Sequence, residues 1–302
     1  MKKLLIDTDI GIDCDDAMAL AAAMALEKMG KASIEGVCTC TAREGSSGCV
    51  AAILNHYGFD RDYATYRGAP LACDASNVYA KGVRDTFNAK DSEEESVRFL
   101  RKKLVNATEK LTLVSLGPLS VIADLLMSQP DDISDLNGVE LVKAKADALY
   151  SMAGNFVDRE KKYEGRYEYF SEWNVYQNIS AAQTVVNFCP IPLVFCPFEV
   201  GVDVQTRETI DRDSPVGVSI HMFHQANKSE RCVTRSSWDP LTVCIAAGVD
   251  WFDYSPYGKI TIDDDGCAHF EGGEGLHRYV IERCDVQETA QKLNELYKQI
   301  EK

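Results

Sequence analysis

The chain lacks the features that mark membrane, nucleic-acid-binding and secreted proteins. Its 302 residues contain no apolar run of transmembrane length, and Met1-Lys2-Lys3-Leu4 leads directly into a short strand without a signal-peptide core. The formal net charge is −15, which disfavours nucleic acid and anionic membranes because both bind basic surfaces. We therefore expect a cytoplasmic protein that acts on a small molecule, with neither nucleic acid nor membrane as a partner.

Cysteine is present, but not in the spacing of a zinc site or a disulfide framework. The sequence has 11 cysteines, an odd number, and no Cys-x-x-Cys pair. Most thiols are therefore expected to pack as small hydrophobic side chains in a reducing compartment. No internal repeat or flexible linker divides the sequence, so residues 1–302 are predicted to form one domain.

Strand-like and helix-like segments alternate along most of the chain. This alternation predicts an α/β fold, with a mainly parallel open sheet, helices on both faces and a few antiparallel strands. The predicted strands are 4–6, 33–41, 111–116, 148–153 and 191–196. The predicted helices are 17–26, 48–57, 119–127, 180–187, 241–247 and 286–302. Segments 259–262 and 267–270 flank a turn and predict a hairpin, and 156–169 is predicted to be a surface loop.

Five aspartates lie within ten residues, in the run Asp7-Thr8-Asp9-Ile10-Gly11-Ile12-Asp13-Cys14-Asp15-Asp16. The run joins the first predicted strand to the first predicted helix, at the sheet edge where open α/β folds bind ligands. Carboxylates this close repel one another unless a cation shares the site. Oxygen ligands favour calcium or magnesium, with Asp9 and Asp16 as preferred ligands and Asp7 and Asp15 alongside. Helix capping would explain one of these aspartates but not five.

Other segments have ordinary structural explanations when each is taken alone. Asp239-Pro240 is typical of a helix start, with the aspartate at the N-cap. Glu172-Trp173-Asn174 is compatible with a solvated loop end, and Gly154-Asn155 with a strand-end turn. His221 and His224 would share a helix face but lack the spacing of a zinc protease helix.

Taken together, four motifs resemble the inosine–uridine-preferring nucleoside hydrolase family. The aspartate run is similar to the family's N-terminal signature, in the variant with two extra residues before the Asp-Asp pair. Ser115-Leu116-Gly117-Pro118-Leu119-Ser120 resembles its Gly-Pro-Leu-Thr turn, and Glu172-Trp173-Asn174-Val175 its Glu-x-Asn motif. Ser237-Trp238-Asp239-Pro240 resembles its late Asp-Pro motif, and the order and spacing agree from residue 4 to about residue 270.

The resemblance implies a metal site and a reaction. A calcium ion would be held by Asp9, Asp16, Asp239 and the backbone carbonyl of Leu116, with two ribose hydroxyls and a water completing its shell. Asp9 is implied to be the general base for that water. The implied reaction is hydrolysis of the N-glycosidic bond of a ribonucleoside through an oxocarbenium-like state, with free base and ribose as products.

The resemblance also implies how the substrate is bound. Asp15 and Asn174 would bind the ribose 2′- and 3′-hydroxyls, while Asn155 and Glu172 would hold the 5′-hydroxyl. Such a network favours ribose over deoxyribose, because a missing hydroxyl leaves buried polar groups unpaired. The family further suggests a homodimer or homotetramer.

Trp238 occupies the position at which many family members have the histidine that protonates the leaving base. Tryptophan is unsuited to donating that proton. A tryptophan at this position resembles the purine-preferring branch of the family, in which aromatic stacking assists departure of the base. Purine nucleosides are therefore slightly favoured as substrates. Tyr79 and Trp173 are candidates for a second aromatic partner, and His224 or His221 for an alternative proton donor.

Two other interpretations remain open from the sequence. Replacement of the usual histidine by Trp238 is compatible with a calcium- and riboside-binding protein without turnover. Haloacid-dehalogenase-like phosphatases also begin with a strand and Asp-x-Asp and bind magnesium, but their lysine and later Asp-Asp pair are not evident here. Ala42-Arg43-Glu44 stands where many nucleoside hydrolases have Gly-Asn, so an asparagine that contacts ribose is missing and an altered sugar substituent is conceivable.

Overall fold

The computed structural model describes residues 1–68, 71, 77–156, 170–207, 210–227, 234–282 and 285–301. In this part of the chain the strands are β1 (Lys2–Thr8), β2 (Ala32–Thr39), β3 (Tyr63–Ala64), β4 (Leu111–Ser115), β5 (Ala146–Met152), β6 (Leu193–Cys196), β7 (Gln205–Arg207), β8 (Thr234–Ser236), β9 (Phe252–Tyr254), β10 (Gly258–Ile262), β11 (Ala268–Gly272) and β12 (His277–Glu282). The helices are α1 (Asp15–Lys28), α2 (Ser46–His56), α3 (Ala80–Thr86), α4 (Ser96–Asn106), α5 (Ser120–Met127), α6 (Gly138–Lys145), α7 (Trp173–Gln177), α8 (Ile179–Phe188), α9 (Phe198–Gly201), α10 (Pro215–Ala226), α11 (Trp238–Ala246) and α12 (Val286–Tyr297).

The main sheet is mostly parallel, as predicted. Its strand order is β11-β10-β12-β6-β5-β4-β1-β2-β3, with β9 paired to β12. Neighbours from β12 through β3 are parallel. Strands β9, β10 and β11 pair in antiparallel fashion, and β10 and β11 form the predicted hairpin, with Ile262 opposite Ala268. The predicted α/β fold is therefore confirmed.

Helices cover both faces of this sheet because alternate strand side chains point to opposite sides. In β1, Leu4 and Ile6 enter one buried cluster and Leu5 enters the other. The first cluster includes side chains of α1, α10, α11 and α12, and the second includes side chains of α4, α5, α6 and α8. The two cores fix the sheet between them.

Helix α1 is buried along most of its length, from Asp15 through Leu26. Its many alanines favour helix formation, and their small side chains permit close packing against α11. The first turns of α1 and α11 come together at the carboxyl edge of the sheet, as the clustering of Asp15 and Asp239 shows. The tight packing of these two helices therefore positions acidic side chains from distant parts of the sequence.

The strand order reverses between β1 and β4, with β2 and β3 on one side of β1 and β4, β5 and β6 on the other. Such a reversal opens a crevice at the carboxyl ends of the strands, which is where α/β sheets bind ligands. The aspartate run begins in the last two residues of β1 and continues beyond its end, and Leu116 and Gly117 follow β4. The predicted motifs therefore converge at one point of the sheet edge.

Two details of the helix starts differ from the sequence expectations. Helix α11 begins at Trp238 rather than Leu241, and Ser237 is its N-cap, so Asp239 lies in the first turn and is not the predicted cap. Cys14 is the N-cap of α1 and makes no side-chain capping bond. Capping therefore does not account for the acidic residues at either helix start.

Of the predicted loop 156–169, residues 157–169 lie outside the described residues. In the described part of the chain, the structure has no helix with the length and hydrophobicity that a membrane crossing requires. Cys14, Cys38, Cys40, Cys49, Cys196 and Cys244 are buried as thiols in the core of the described part of the chain.

Candidate active site

A pocket opens at the strand-order reversal and collects most of the predicted site residues. Its described lining consists of Asp9, Ile12, Asp13, Asp15, Asp16, Leu116, Met152, Glu172, Trp173, Asn174, Phe198, Arg235, Trp238 and Asp239. Eight of the ten predicted site residues are in this group. Asn155 and His224 are not, although Asn155 is buried beside the pocket at the end of β5.

The acidic end of the pocket is a cluster of buried carboxylates. Asp15, Asp16 and Asp239 each place an oxygen within 4.8 Å of the others. Their positions are fixed by short contacts, since the Thr8 hydroxyl donates to Asp16 and the Asp239 backbone N–H donates to Asp15 Oδ2 at 3.3 Å. Asp9 lines the same pocket outside this group of three.

Burial makes these carboxyl groups hard to ionise. It raises the pKa of Asp15, Asp16 and Asp239 well above the ordinary value, and repulsion from the neighbouring carboxylates raises each of them further. Burial also raises the pKa of Asp9 to about 6, although the positive charge of Arg43 opposes the shift. A hard divalent cation with oxygen ligands fits this site, because it would offset charge that the folded chain leaves poorly compensated.

The predicted division of roles among these acids stays a prediction. The mutual distances favour Asp15, Asp16 and Asp239 as cation ligands, whereas the family resemblance implies Asp9 as a ligand and Asp15 as a ribose contact. Asp7, also in the run, is buried away from the described pocket lining, and accepts a hydrogen bond from Ser115 Oγ at 3.1 Å. Burial raises its pKa to about 8, so it is an uncharged support for β4 at neutral pH.

Asn174 connects the ends of two strands at the pocket. Its Nδ2 donates to the carbonyl of Leu116 at 2.9 Å and to the carbonyl of Met152 at 3.0 Å. The amide Oδ1 is therefore the atom that Asn174 offers to a hydroxyl donor of a ligand. The Leu116 carbonyl retains a second lone pair, so its predicted role as a metal ligand is chemically compatible with this bond.

Glu172 is both a helix cap and a pocket residue. Its carboxylate accepts bonds from the backbone N–H groups of Asn174 at 2.9 Å, Gly154 at 3.2 Å and Val175 at 3.4 Å. Burial raises its pKa to about 7 in spite of these donors. Because Glu172 and Asn174 are both buried, a solvated loop end is excluded as the explanation of this motif.

Gly117 shows why the predicted turn after β4 contains glycine. A Cβ at this position would lie 2.7 Å from Asp9 Oδ1 and 2.7 Å from Cys40 Sγ. Both distances are shorter than atoms can approach without displacement. The absence of a side chain at Gly117 therefore permits Asp9 to sit against the β4 turn.

The described lining also includes Phe198, Trp238 and Arg235, which we call the aromatic–arginine wall. The rings of Phe198 and Trp238 stack with centroids 5.5 Å apart and planes inclined by 30°. The indole N–H of Trp238 donates to the Phe198 carbonyl at 2.8 Å. A Cβ at Gly201 would lie 2.5 Å from Trp238 Cδ1, so glycine is required behind the indole. These contacts fix the orientation of Trp238.

Arg235 is fixed from several directions. Its Nε donates to Asp13 Oδ1 at 2.8 Å, and its Nη2 donates to Asp13 Oδ2. The guanidinium carbon lies 5.0 Å from the Trp238 ring centroid and 5.2 Å from that of Phe223. The pair with Asp13 therefore joins the loop after β1 to the segment before α11.

The structure separates the two candidates for a second aromatic residue. Trp173 lines the pocket and is 45% exposed. Tyr79 is buried, donates through its hydroxyl to the Asp13 carbonyl at 2.6 Å, and is not in the described lining. His221 and His224 lie on α10 and are likewise outside the described lining, so their role as proton donor remains a prediction.

Sequence reasoning missed Phe198, Arg235 and Asp13 as pocket residues. Phe198 follows β6 after one proline, so a search of every strand's carboxyl end would have included it. Arg235 is paired with Asp13, 222 residues away. Nothing in the local spacing indicates that pairing.

The open, mainly parallel sheet, with an acidic pocket at its strand-order reversal, places this protein among the open α/β folds, in which ligand sites lie at the carboxyl ends of the strands. Within that class, residues 4–291 match the model of the inosine-uridine preferring nucleoside hydrolase family, and the chain belongs to this family. The predicted family is thereby confirmed. The match decides against a haloacid-dehalogenase-like phosphatase.

Individual relatives agree with this assignment at low identity. The non-specific ribonucleoside hydrolase RihC of Salmonella paratyphi A is 27% identical over 218 residues, covering 70% of this chain and 64% of the relative's length. The fold resembles the inosine-uridine preferring nucleoside hydrolase of Bacillus anthracis, with a TM-score of 0.72 and 16% identity over 99% of this chain and 100% of that one. It also resembles the plant nucleoside hydrolase PpNRh1, with a TM-score of 0.74 and 18% identity over 98% of each chain.

Proposed function

We propose that this protein hydrolyses the N-glycosidic bond of ribonucleosides with the help of calcium, with purine nucleosides slightly favoured. The observation that carries this proposal is one pocket whose described lining combines the buried Asp15, Asp16 and Asp239 with the aromatic side chain of Trp238. The carboxylates suit a cation and a polyhydroxylated sugar, and the aromatic side chain suits a flat base. Family membership over residues 4–291 supports the same reaction.

Asp9, Asp16, Asp239 and the Leu116 carbonyl would hold the calcium ion, with Asp15 adjacent. Calcium bound there would act as a Lewis acid that makes a water more acidic, and would reduce the repulsion among the carboxylates. Asp9 is the group that takes a proton from the attacking water. Without a cation, burial raises its pKa to about 6, and calcium beside it would favour the ionised form that accepts a proton.

The sugar would be held by polar atoms already fixed in the fold. Asn174 offers its Oδ1 because its Nδ2 is bonded to two strand-end carbonyls, and Asp15 supplies a carboxylate for the second hydroxyl. Glu172 and Asn155 are assigned to the 5′-hydroxyl. These groups select ribose because a deoxyribose would leave buried polar atoms unpaired.

The base would lie toward Trp238 and Phe198, with Trp173 as the second aromatic side chain of the pocket. As the C1′–N bond breaks, its electron pair passes to the base and positive charge develops on the sugar. The surrounding carboxylates stabilise that charge. Water adds to C1′ from the face opposite the base, giving ribose with inverted configuration.

The proposal is tested by reducing-sugar release from inosine, guanosine, adenosine, uridine and cytidine, with and without a calcium chelator. We expect release from purine nucleosides that stops with the chelator and returns when calcium is added. Release from uridine at the same rate would contradict the purine preference and would favour His224 as the proton donor to the base. Nucleoside binding without release on long incubation would overturn the hydrolase proposal in favour of a binding protein.

We also propose that residues 1–302 form one domain of a cytoplasmic homodimer or homotetramer. The buried free thiols of the described residues favour a reducing compartment. Family resemblance is the support for the oligomer. Sedimentation equilibrium measures the assembly directly, and a monomer at micromolar concentration would contradict it.

A further inference from the structure

We infer that Arg235 is a specificity-determining residue, which makes the pocket select purine ribosides with a carbonyl at C6 over those with an amino group there. The inference rests on the proposed function, and it narrows the substrate class from purine ribosides to 6-oxopurine ribosides. It comes from the position of Arg235, the one cationic side chain in the described lining of a pocket rich in carboxylates and aromatic rings.

The contacts of Arg235 hold its guanidinium in place and leave some of its N–H donors without a hydrogen-bond partner among the described residues. Asp13 engages Nε and Nη2 of the guanidinium, and the rings of Trp238 and Phe223 lie about 5 Å from its central carbon. Among the described residues, Nη1 has no hydrogen-bond partner, and the Arg235 side chain is 28% exposed. The N–H groups of Nη1 are therefore available to a ligand while the plane of the group stays fixed.

A base in this pocket meets Arg235 and Trp238 together, because both line it and are in contact with each other. A 6-oxopurine presents two acceptors, O6 and N7, on one edge, and a guanidinium is a donor group that suits this edge. A 6-aminopurine keeps the N7 acceptor but places an amino N–H donor at C6, opposite the N–H donors of arginine. The same cation therefore binds two acceptors on the 6-oxopurine edge and only one on the 6-aminopurine edge.

The effect extends to the departing base. When the C1′–N bond breaks, the base takes the electron pair, and in a 6-oxopurine the negative charge spreads toward O6 and N7. Arg235 stabilises this charge by hydrogen bonding and stays protonated throughout. Water supplies the new oxygen at C1′, Asp9 accepts the water proton, and solvent supplies the proton that finally neutralises the base.

Asp13 is assigned as a positioning residue, since it contacts Arg235 rather than the base. Its carboxylate holds two of the guanidinium nitrogens and so determines which donors face the pocket. This gives a function to an aspartate of the N-terminal run that lies outside the group of three close carboxylates.

The test compares kcat/KM for inosine, adenosine and purine riboside, which has no substituent at C6, in the parent and in Arg235→Gln. We expect the parent to prefer inosine over adenosine by at least about tenfold, since one two-point contact gives about 1–3 kcal/mol of discrimination. In Arg235→Gln we expect the ratio to fall to within about threefold of unity, mainly through loss of inosine activity. Asp13→Asn is expected to reduce the ratio by a smaller factor, and Arg235→Lys to give an intermediate ratio because it keeps the charge without the planar group.

Arg98→Gln is the matched control, because Arg98 is an exposed arginine paired with Asp132 at a distance from the pocket lining. Equal loss of inosine and adenosine activity in Arg235→Gln would indicate a purely structural role and overturn the inference. So would a parent enzyme with no preference, in which case the hydrolase proposal would still stand.

Binding of the free bases by titration calorimetry keeps the inference testable without turnover. We expect the parent to bind hypoxanthine at least about tenfold more tightly than adenine, and Arg235→Gln to lose this difference. If no riboside is cleaved, the hydrolase proposal fails while this measurement still decides the role of Arg235. Equal binding of the two bases by the parent would overturn the inference.

Discussion

The acidic end of the pocket and the aromatic–arginine wall are built in different ways. Asp15, Asp16 and Asp239 belong to the first turns of α1 and α11, two helices packed tightly in the core. The wall depends on contacts between side chains of α9, β8 and the first residue of α11, and on Asp13 in the loop after β1. The first region is determined by the fold, and the second by a small number of side-chain choices.

This difference teaches where specificity is most easily altered. A change in the acidic end disturbs helix packing and the charge balance of the site at once. A change in the wall alters the surface offered to the base and leaves the strand ends in place. We expect the acidic end to govern whether the reaction proceeds and the wall to govern which nucleoside is used.

Removal of one carboxylate is expected to have the largest effect. Asp16→Asn should lower kcat/KM for every nucleoside by about 10²–10³-fold, because a fixed charge at the centre of the site is lost. The measurement is initial-rate kinetics at saturating calcium, with Asp263→Asn, a substitution in the surface hairpin, as control. Loss confined to purine nucleosides would show that the two ends are not separate in function.

Truncation of the aromatic–arginine wall is expected to have a smaller effect on activity, and one that is selective for purine nucleosides. Trp238→Ala is expected to lower purine kcat/KM by about 5–100-fold, the range for loss of one stacked base contact, and to affect uridine less. The ratio of inosine to uridine activity measures this, with Trp238→Phe retaining part of the preference. An equal loss on both substrates would mean that Trp238 acts by holding α11 and Asp239 in place.

The buried acids also predict a pH dependence of stability that a cation removes. In chelator, Asp9 has a folded-state pKa of about 6 against an ordinary 3.8, and Glu172 about 7 against 4.5. The folded protein then binds more protons than the unfolded chain between these values, so its stability falls as the pH rises from about 4 to about 7. Each kcal/mol lost lowers the melting temperature by about 2–4 °C.

Thermal unfolding at several pH values, with chelator and with calcium, measures this effect. Calcium should flatten the decline, because it favours the ionised carboxylates of the folded state. A stability that rises with pH in chelator would contradict the assignment of raised pKa values to the buried acids.

The smallest effect is expected at His224, which lies outside the described pocket lining. His224→Ala should leave kcat/KM for inosine and uridine within about twofold of the parent, since substitutions away from a site seldom change its energetics much. His221→Ala, on the same helix, is the control. A loss of tenfold or more in His224→Ala alone would establish His224 as the proton donor and extend the wall to α10.

Much of the fold followed from sequence patterns because the strands are apolar and separated by clear turns. The helices between residues 80 and 145 show the limit of that reasoning, since α3, α4 and α6 were not among the predicted elements. Helix α4 is amphipathic and carries the buried Arg101, whose guanidinium binds Asp131 and nearby carbonyls. A buried arginine paired 30 residues away looks like a surface residue when only local pattern is used.

The residues of the candidate site also divide into those that the sequence pattern can place and those that it cannot. The aspartate run and Leu116 lie at strand ends, so local sequence is enough to place them at the ligand-binding edge. Glu172 and Asn174 were assigned to the site through the family resemblance, because their local pattern alone is compatible with a solvated loop end. For Asp239 the local pattern alone favoured an N-cap, and the family resemblance implied a calcium ligand instead. The packing of α11 against α1 places its carboxylate beside those of Asp15 and Asp16. The contacts of Arg235 depend on side-chain packing between distant segments, which no local pattern encodes.

The meeting of α1 and α11 has a consequence for how the site is assembled. The peptide dipoles of a helix place partial positive charge at its first turn, and both of these helices start at the acidic cluster. Two such ends partly offset the repulsion among Asp15, Asp16 and Asp239 before any ion arrives. We therefore expect the chain to fold without an ion, so that the cation of the proposed function would be an exchangeable component of a finished scaffold.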